Sequence, residues 1–234
     1  MVVATFCLLH GGWHDGACWE PLVRCLQVRG HDAVAPDLPF DDPRAGFAER
    51  VRPALQALED VVGAVVVVGH SVASGYAPLV AVARSGSLLV HLCPRLGPFA
   101  PPPGAPDTFR KGFPFPADRA DGTSVWDVEA AIGAMYRRLP PAAARIQARR
   151  LRPLAPAAGE YPLPAHPRIP TVLVYATDDE FFEPAWERFM ARELLGVDPI
   201  EIPGGHFPML EDPDELADLF DRLAREHAAG AHGA

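Results

Sequence analysis

Short apolar runs alternate with amphipathic stretches along most of this chain. Six of the runs are rich in β-branched or other apolar residues and predict buried strands: 6–9, 32–36, 64–68, 88–93, 171–175 and 199–202. Helices are predicted in between and after them, at 18–29, 47–60, 72–84, 184–195 and 213–225. Strands that alternate with helices indicate an α/β fold, with a mostly parallel sheet of about six strands and helices on both faces.

Proline marks the one long interruption of this pattern. Of the 27 prolines, 16 fall between Pro94 and Pro170, and helical patterns return there only at 126–139 and 142–151. A long insertion in a compact domain is often functional. We therefore expect residues 97–166 to form a cap over the active site, inserted into an α/β core made of residues 1–96 and 167–234. The alternative is a proline-stiffened surface loop without catalytic contact.

A serine lies where a predicted strand turns into a helix, in Gly69-His70-Ser71-Val72-Ala73. A serine on such a sharp turn has its hydroxyl raised above the edge of the sheet, where it can act as a nucleophile. The segment departs from the motif G-x-S-x-G only at Ala73, the mildest replacement for the last glycine. Ser71 is therefore the candidate nucleophile, and we expect His70 to have a structural role.

A serine hydroxyl needs a base and an orienting acid, and the chain supplies both further along. Asp179 follows the predicted strand 171–175, and His206 follows the last predicted strand in a glycine-rich loop. The order serine, aspartate, histidine is that of one hydrolase architecture. We predict Ser71, Asp179 and His206 as the catalytic residues, with Asp178 as the alternative acid and a solvated loop histidine as the alternative for His206.

Two glycines end the first predicted strand, in His10-Gly11-Gly12-Trp13. Acyl transfer needs backbone N–H donors aimed at the oxygen that becomes negatively charged, and glycine lets the backbone approach that oxygen closely. We predict the N–H groups of Gly12 and Val72 as the oxyanion hole. The alternative is an ordinary glycine turn.

Apolar side chains in and near the predicted cap are typical of a substrate pocket. The candidate substrate contacts are Trp13, Arg95, Trp126, Tyr136 and Phe207, with Phe113 and Met135 as further apolar residues of the cap. The aromatic cap residues could instead form the cap's own core, and Arg95 could form a surface ion pair.

The composition limits the kinds of molecule that this protein is expected to bind. The net charge of −9 argues against nucleic acid, and the four cysteines lack metal-binding spacing. The sequence shows neither a basic leader nor an apolar run long enough to span a bilayer, so we expect a cytoplasmic protein that acts on a small molecule. Lys111 is the only lysine, and this arginine bias, with abundant proline and alanine, suggests a GC-rich bacterial genome.

These residues resemble the α/β-hydrolase superfamily over nearly the whole chain. The similarity is closest to the plant methylesterase and hydroxynitrile lyase branch with its bacterial esterase relatives, in the segments 10–19, 35–39, 89–93 and 179–184. The resemblance implies Ser71 as nucleophile, Asp179 as acid and His206 as base, and it suggests a homodimer. The lyases of the branch carry threonine in place of Gly11 and lysine in place of Phe207, so both positions favour an esterase.

We therefore predict a serine hydrolase that cleaves a small or medium carboxylic ester through an acyl-enzyme, without metal or organic cofactor. The alternative is a non-hydrolytic enzyme of the same fold, a lyase or cyclase in bacterial natural-product biosynthesis that uses His206 as general base. A ligand-binding module is a third hypothesis, but a pure binder does not need a nucleophile, an acid and a base together.

Overall fold

A computed structural model describes residues 4–97, 101 and 103–231, with side chains described up to 227. Within these described ranges, eight strands lie, in chain order, at Ala4–Leu9 (β1), Asp32–Val34 (β2), Ala64–His70 (β3), Leu88–Leu92 (β4), Ala117–Asp118 (β5), Ser124–Val125 (β6), Thr171–Ala176 (β7) and Ile200–Ile202 (β8). Six of them form one parallel sheet in the order β2-β1-β3-β4-β7-β8, and β5 pairs with β6 as a small antiparallel hairpin. The predicted parallel sheet of six strands is confirmed.

The α-helices lie at Glu20–Val28 (α1), Phe47–Ala57 (α2), Ala77–Ala83 (α3), Val128–Met135 (α4), Pro141–Arg150 (α5), Pro184–Met190 (α6), Pro208–Glu211 (α7) and Pro213–Ala231 (α8). The helix predicted over 72–84 is divided: a 3₁₀ turn at Ser71–Gly75 precedes α3. Pro78 explains the division, because it has no N–H to donate to the carbonyl of Ser74. The hairpin and α7 lacked a sequence signal, because each is very short.

Alternate side chains of the central strands serve two separate cores. Phe6 on β1 stacks on Phe220 of α8, with ring centroids 5.8 Å apart, on one face of the sheet. Leu9 belongs to the other face, in a cluster with Val51 of α2 and Val80 of α3. Because successive residues of a strand point to opposite faces, a central strand covered by helices on both sides is apolar throughout, which is why β3 is a run of valines.

The segment between β4 and β7 contains the hairpin, α4 and α5, as an insertion into the α/β core. The predicted cap, 97–166, falls within this segment. Residues 98–100 and 102 of that predicted cap lie outside the described residues, as do 1–3 and 232–234 at the ends of the predicted core. Among the described residues, no helix combines the length and the apolar character needed to cross a membrane.

Several histidines are buried in the neutral form. Burial lowers the pKa of His10 and of His14 to about 4, and that of His91 to about 3. The imidazole of His91 lies in β4 and meets that of His166, with their Nε2 atoms 3.1 Å apart. Unfolding would return these side chains to an ordinary pKa near 6.5, so the unfolded chain binds more protons than the folded one below that pH.

The first prediction concerns acid stability. Folding stability is fully present above about pH 6.5 and falls as the pH drops toward 4, by up to about 1.4 kcal/mol per pH unit for each such histidine. Urea unfolding at pH 7.5 and 5.0 measures the difference. In His91→Leu, which removes one of these groups, the loss of unfolding free energy between the two pH values should be smaller by about 2 kcal/mol. An identical pH dependence in the variant would contradict the assignment.

Candidate active site

Ser71 is the residue at which β3 turns into the following 3₁₀ segment. Its backbone lies in the left-handed region, with φ of 52°, which is uncommon outside glycine. The turn is tight, because a Cβ atom at Gly69 would lie 2.8 Å from both the carbonyl oxygen of Ala73 and the Cβ of Ala77. The hydroxyl of Ser74 donates to the carbonyl of Gly69 at 2.7 Å and closes the turn from inside. This is the shape that a nucleophile elbow requires.

Asp179 and His206 form a hydrogen-bonded pair just beyond β7 and β8. Asp179 Oδ2 lies 2.7 Å from His206 Nδ1, and each side chain is 1% exposed. The other oxygen, Oδ1, accepts the backbone N–H groups of Phe181 at 2.7 Å and Phe182 at 3.1 Å. These donors hold the carboxylate in place, and the carboxylate in turn places the proton of the neutral imidazole on Nδ1. His206 Nε2 is thereby left free to accept a proton.

Asp178, the alternative acid, faces away from this pair. Its side chain is 63% exposed and accepts a hydrogen bond from Arg138 Nη1 at 3.2 Å on the surface. Between the two neighbouring carboxylates, the geometry favours Asp179 as the group that orients His206.

A ring contact and two backbone hydrogen bonds hold His206 in place. Its ring stacks on Phe181 with centroids 4.1 Å apart and planes 20° apart. Its backbone N–H donates to Glu180 Oε2 at 3.1 Å, and its carbonyl accepts a hydrogen bond from His70 Nε2 at 2.8 Å. Burial lowers the pKa of His70 well below its usual value, so His70 stays neutral. His70 therefore supports the loop of the predicted base, in line with the structural role expected for it.

Ser71 lines a cavity whose wall adjoins His206 through Phe181. Phe181, which stacks on His206, lines that cavity together with Ser71, and the ring of His70 is 4.8 Å from that of His206. Within the described part of the chain, no hydrogen bond joins Ser71 Oγ to the imidazole of His206. Catalytic hydrogen bonds of this kind often form only when substrate is bound. The structure thus joins the predicted acid and base directly and sets the predicted nucleophile at the wall of the adjoining cavity.

The loop after β1 approaches Ser71 closely. A Cβ atom at Gly11 would lie 2.8 Å from His70 Nδ1 and 3.2 Å from the Cβ of Ser71, so glycine allows this approach. Gly12 is buried, and its N–H donates to no other residue among those described. Val72 is the second residue of the 3₁₀ segment Ser71–Gly75, in a first turn whose N–H groups lack partners within the helix. Both predicted oxyanion donors therefore lie beside the candidate nucleophile.

An apolar cavity of about 370 Å³ opens over Ser71. The insertion between β4 and β7 supplies most of its wall, and the α/β core supplies the rest: Trp13, Ser71, Val72, Arg95, Phe109, Phe113, Phe115, Pro116, Asp118, Ser124, Leu154, Phe181 and Phe182. A second cavity of about 470 Å³ shares part of this wall, including Val72 and Leu154. Residues of the insertion thus line the cavity at Ser71.

The predicted substrate contacts divide into two groups. Trp13 and Arg95 line the cavity over Ser71, and Arg95 is exposed. Trp126, Tyr136 and Phe207 are not among its lining residues. Tyr136 and Phe207 are almost completely buried beneath it, and Trp126 packs edge-on against Trp13 at 5.8 Å. For Trp126 and Tyr136, the structure favours the alternative that was left open for the aromatic cap residues, a role in packing. Phe207, outside the cap, was predicted only as a substrate contact, and its burial also favours a role in packing.

Sequence reasoning missed most of the aromatic wall. Phe109, Phe115, Phe181 and Phe182 lie in loops without periodicity, so nothing marked the direction of their side chains. For Phe181 and Phe182, one signal was present: they directly follow the predicted acid. Their N–H groups and rings hold Asp179 and His206, as described above.

A cysteine lies next to the acid–base pair. The Sγ atom of Cys93, a carboxylate oxygen of Asp179 and a ring nitrogen of His206 all lie within 4.8 Å of one another. Burial raises the pKa of the Cys93 thiol well above its usual value, whereas a metal-binding cysteine must be a thiolate. Asp179 and His206 already bind each other. The group therefore suits a neutral thiol packed beside the pair better than a metal centre.

Comparisons with known proteins find similar chains that cover nearly all of this one. In an alignment 256 positions long, the chain is 26% identical to a pyrethroid hydrolase of Sphingobium wenxiniae. The alignment covers 96% of this chain and 89% of the relative. Among solved structures, a pyrethroid hydrolase from Sphingobium faniae JZ-2 superposes with a TM-score of 0.71 at 21% identity, covering 96% of this chain and 98% of the other. A methylesterase from Arabidopsis superposes with a TM-score of 0.73 at 18% identity, covering 95% and 99%.

The structural likenesses are below 25% identity and show a shared fold. They include the plant methylesterase branch that the sequence resembles. Residues 8–219 match the Alpha/beta hydrolase family, which covers most of the chain and both halves of the core. The chain therefore belongs to the alpha/beta hydrolase family.

Proposed function

We propose that this protein is a serine hydrolase that cleaves a small or medium carboxylic ester through an acyl-enzyme on Ser71. The observation that carries the proposal is the buried Asp179–His206 hydrogen bond of 2.7 Å, beside a cavity whose wall includes a serine on a strained turn. An acid, a base and a candidate nucleophile in this arrangement are the groups that acyl transfer needs.

The chemistry requires only these side chains, two N–H groups and water. His206 Nε2 takes the hydroxyl proton as Ser71 Oγ attacks the ester carbonyl, and the N–H groups of Gly12 and Val72 stabilise the oxyanion. The bond to the alcohol breaks, and the imidazolium of His206 gives its proton to the leaving alcohol. Water then loses a proton to His206 and attacks the acyl carbon, which releases the acid and restores the hydroxyl of Ser71.

Two residues favour hydrolysis over a lyase reaction. Phe207, directly after the proposed base, is 2% exposed and packs against His14 and Tyr136, so it offers no charge to a leaving group. The second residue is Gly11, where the similar lyases carry threonine. A side chain at this position would press on His70 and Ser71. The similar proteins named above as a pyrethroid hydrolase and a methylesterase also carry the names of hydrolytic enzymes.

The cavity supports an apolar substrate of modest size. Its volume of about 370 Å³ lies near the lower end of the range for small-molecule sites, and aromatic rings form much of its wall. The rings of Phe109 and Phe113 stack at 5.6 Å, which makes one side of the cavity flat and rigid. We therefore propose esters with a compact apolar or aromatic group as substrates.

The second prediction tests the nucleophile. Ser71→Ala should reduce turnover of short-chain nitrophenyl esters to the background rate, because no oxygen remains to form the acyl-enzyme. The control is Ser87→Ala, an exposed serine just before β4, which should keep wild-type kinetics. Intact-mass analysis with a slowly deacylating ester should show one acyl group on the wild-type chain and none on Ser71→Ala. Undiminished turnover in Ser71→Ala would overturn the proposal.

The third prediction uses two adjacent carboxylates as a matched pair. Asp179→Asn should lower kcat by roughly 10³–10⁴-fold, because the amide no longer fixes the proton of His206 on Nδ1. Asp178→Asn removes the negative charge of a surface ion pair with Arg138 and should leave kcat within about twofold of the wild type. Steady-state kinetics on both variants, with circular dichroism as a check on folding, decides the assignment. The reverse ranking would make Asp178 the acid.

A further inference from the structure

Two buried histidines bond to the carbonyls on either side of the predicted oxyanion donor. His10 Nδ1 lies 2.9 Å from the carbonyl oxygen of Gly11, and His14 Nδ1 lies 2.7 Å from that of Gly12. Both imidazoles are nearly inaccessible to solvent. The two peptide groups that flank the Gly12 Cα are therefore each held by a separate side chain.

The partners of these rings determine where their protons lie. A carbonyl oxygen can only accept, so both histidines must donate from Nδ1. The second nitrogen of each ring must then accept, and each finds a donor: the N–H of Leu38 lies 2.9 Å from His10 Nε2, and the hydroxyl of Tyr136 lies 2.6 Å from His14 Nε2. Each ring is thus a neutral Nδ1–H tautomer with both nitrogens satisfied.

These bonds aim the Gly12 N–H. The carbonyl of Gly11 and the N–H of Gly12 belong to one planar trans peptide, in which the two groups point in opposite directions. Because His10 holds that carbonyl on its own side, the Gly12 N–H must point away from His10. The bond from His14 fixes the next peptide, and Trp13 follows with a positive φ of 63°. Such a strained backbone persists only where its surroundings determine it.

Tyr136 connects the insertion to the loop after β1 through its hydrogen bond to His14. It lies at the carboxyl end of α4 and is 1% exposed, so its hydroxyl meets His14 in a dry environment. The insertion holds the same loop at other points. The N–H of Arg152 donates to the carbonyl of Trp13 at 2.8 Å, and Trp13 Nε1 donates to Ser124 Oγ at 3.1 Å. The loop that carries the oxyanion donor is therefore bonded to the insertion as well as to the core.

We infer that His10, His14 and Tyr136 are positioning residues for the oxyanion hole, and that Tyr136 makes the geometry of the Gly12 N–H depend on the docked cap. This inference rests on the proposed ester hydrolysis, in which Gly12 stabilises the transition state. None of the three residues lines the cavity over Ser71. They act through the backbone by fixing the direction of one donor before the reaction begins.

The fourth prediction concerns Tyr136→Phe, which keeps the ring and removes the donor to His14. Loosening one oxyanion donor should cost part of the 10²–10³-fold that its complete removal costs, so kcat should fall about tenfold with KM unchanged. Affinity for an alkylboronic acid, whose adduct on Ser71 mimics the tetrahedral oxyanion, should fall by a similar factor. The matched control is Tyr175→Phe, whose hydroxyl bonds to Glu201 and Arg188 away from the cavity, and it should change neither quantity.

Variants of His14 separate positioning from simple packing. In His14→Asn, the side-chain amide stands near the former Nδ1 and can still donate to the carbonyl of Gly12. In His14→Leu, no donor remains. We expect kcat of His14→Asn to exceed that of His14→Leu about tenfold at equal thermal stability. Equal kcat values in the two folded variants, together with wild-type kcat in Tyr136→Phe, would overturn the inference while leaving ester hydrolysis intact.

A spectroscopic readout works even without a substrate. With ¹⁵N-labelled histidine, long-range ¹H–¹⁵N spectra of the wild-type chain should show His10 and His14 as Nδ1–H tautomers, and Tyr136→Phe should shift the Nε2 resonance of His14 alone. Signals of Nε2–H tautomers at these two positions would refute the inference. If no ester is turned over by the wild type, the proposed function fails, and these spectra still decide whether the histidines hold the loop.

Discussion

The hydrogen bond between Asp179 and His206 is the interaction on which the proposed chemistry depends. It joins two groups that are almost completely shielded from water, and in such surroundings an unpaired carboxylate would be costly. Several neighbouring groups stabilise this buried pair. Two backbone N–H groups satisfy the remaining oxygen of Asp179, Phe181 stacks on the imidazole, and His70 holds the carbonyl of the loop.

The parallel sheet explains why these groups meet. Gly12, Ser71, Asp179 and His206 follow β1, β3, β7 and β8, and the carboxyl ends of parallel strands lie along one edge. Each loop then needs only a short local feature to aim its functional group: a tight turn at Ser71, two backbone N–H donors to Asp179 and neutral histidines around Gly12. The same burial that keeps these histidines neutral links the preorganisation of the site to stability in acid.

The sequence contained enough to predict the sheet and the order of the candidate residues. A continuous valine run is typical of a strand buried on both faces, and Ser71, Asp179 and His206 each follow a predicted strand. The same patterns could not show which aromatic side chains of the insertion face the cavity. Tyr136, at the end of α4, and Phe207, in the loop after β8, were predicted as substrate contacts and are buried. The direction of side chains at such positions depends on tertiary packing, which the patterns do not show. His10 and His14 stand on either side of Gly11 and Gly12 in the sequence. Only the hydrogen bonds in the structure show that each histidine holds one glycine carbonyl.

The most direct test of the central claim is a crystal structure of the protein after reaction with an alkyl fluorophosphonate. The account predicts phosphorus bonded to Ser71 Oγ, with the phosphoryl oxygen about 3 Å from the nitrogens of both Gly12 and Val72. It also predicts that His206 Nε2 faces Ser71 Oγ while Nδ1 keeps its bond to Asp179. An adduct on another residue, or a phosphoryl oxygen turned away from both N–H groups, would contradict it.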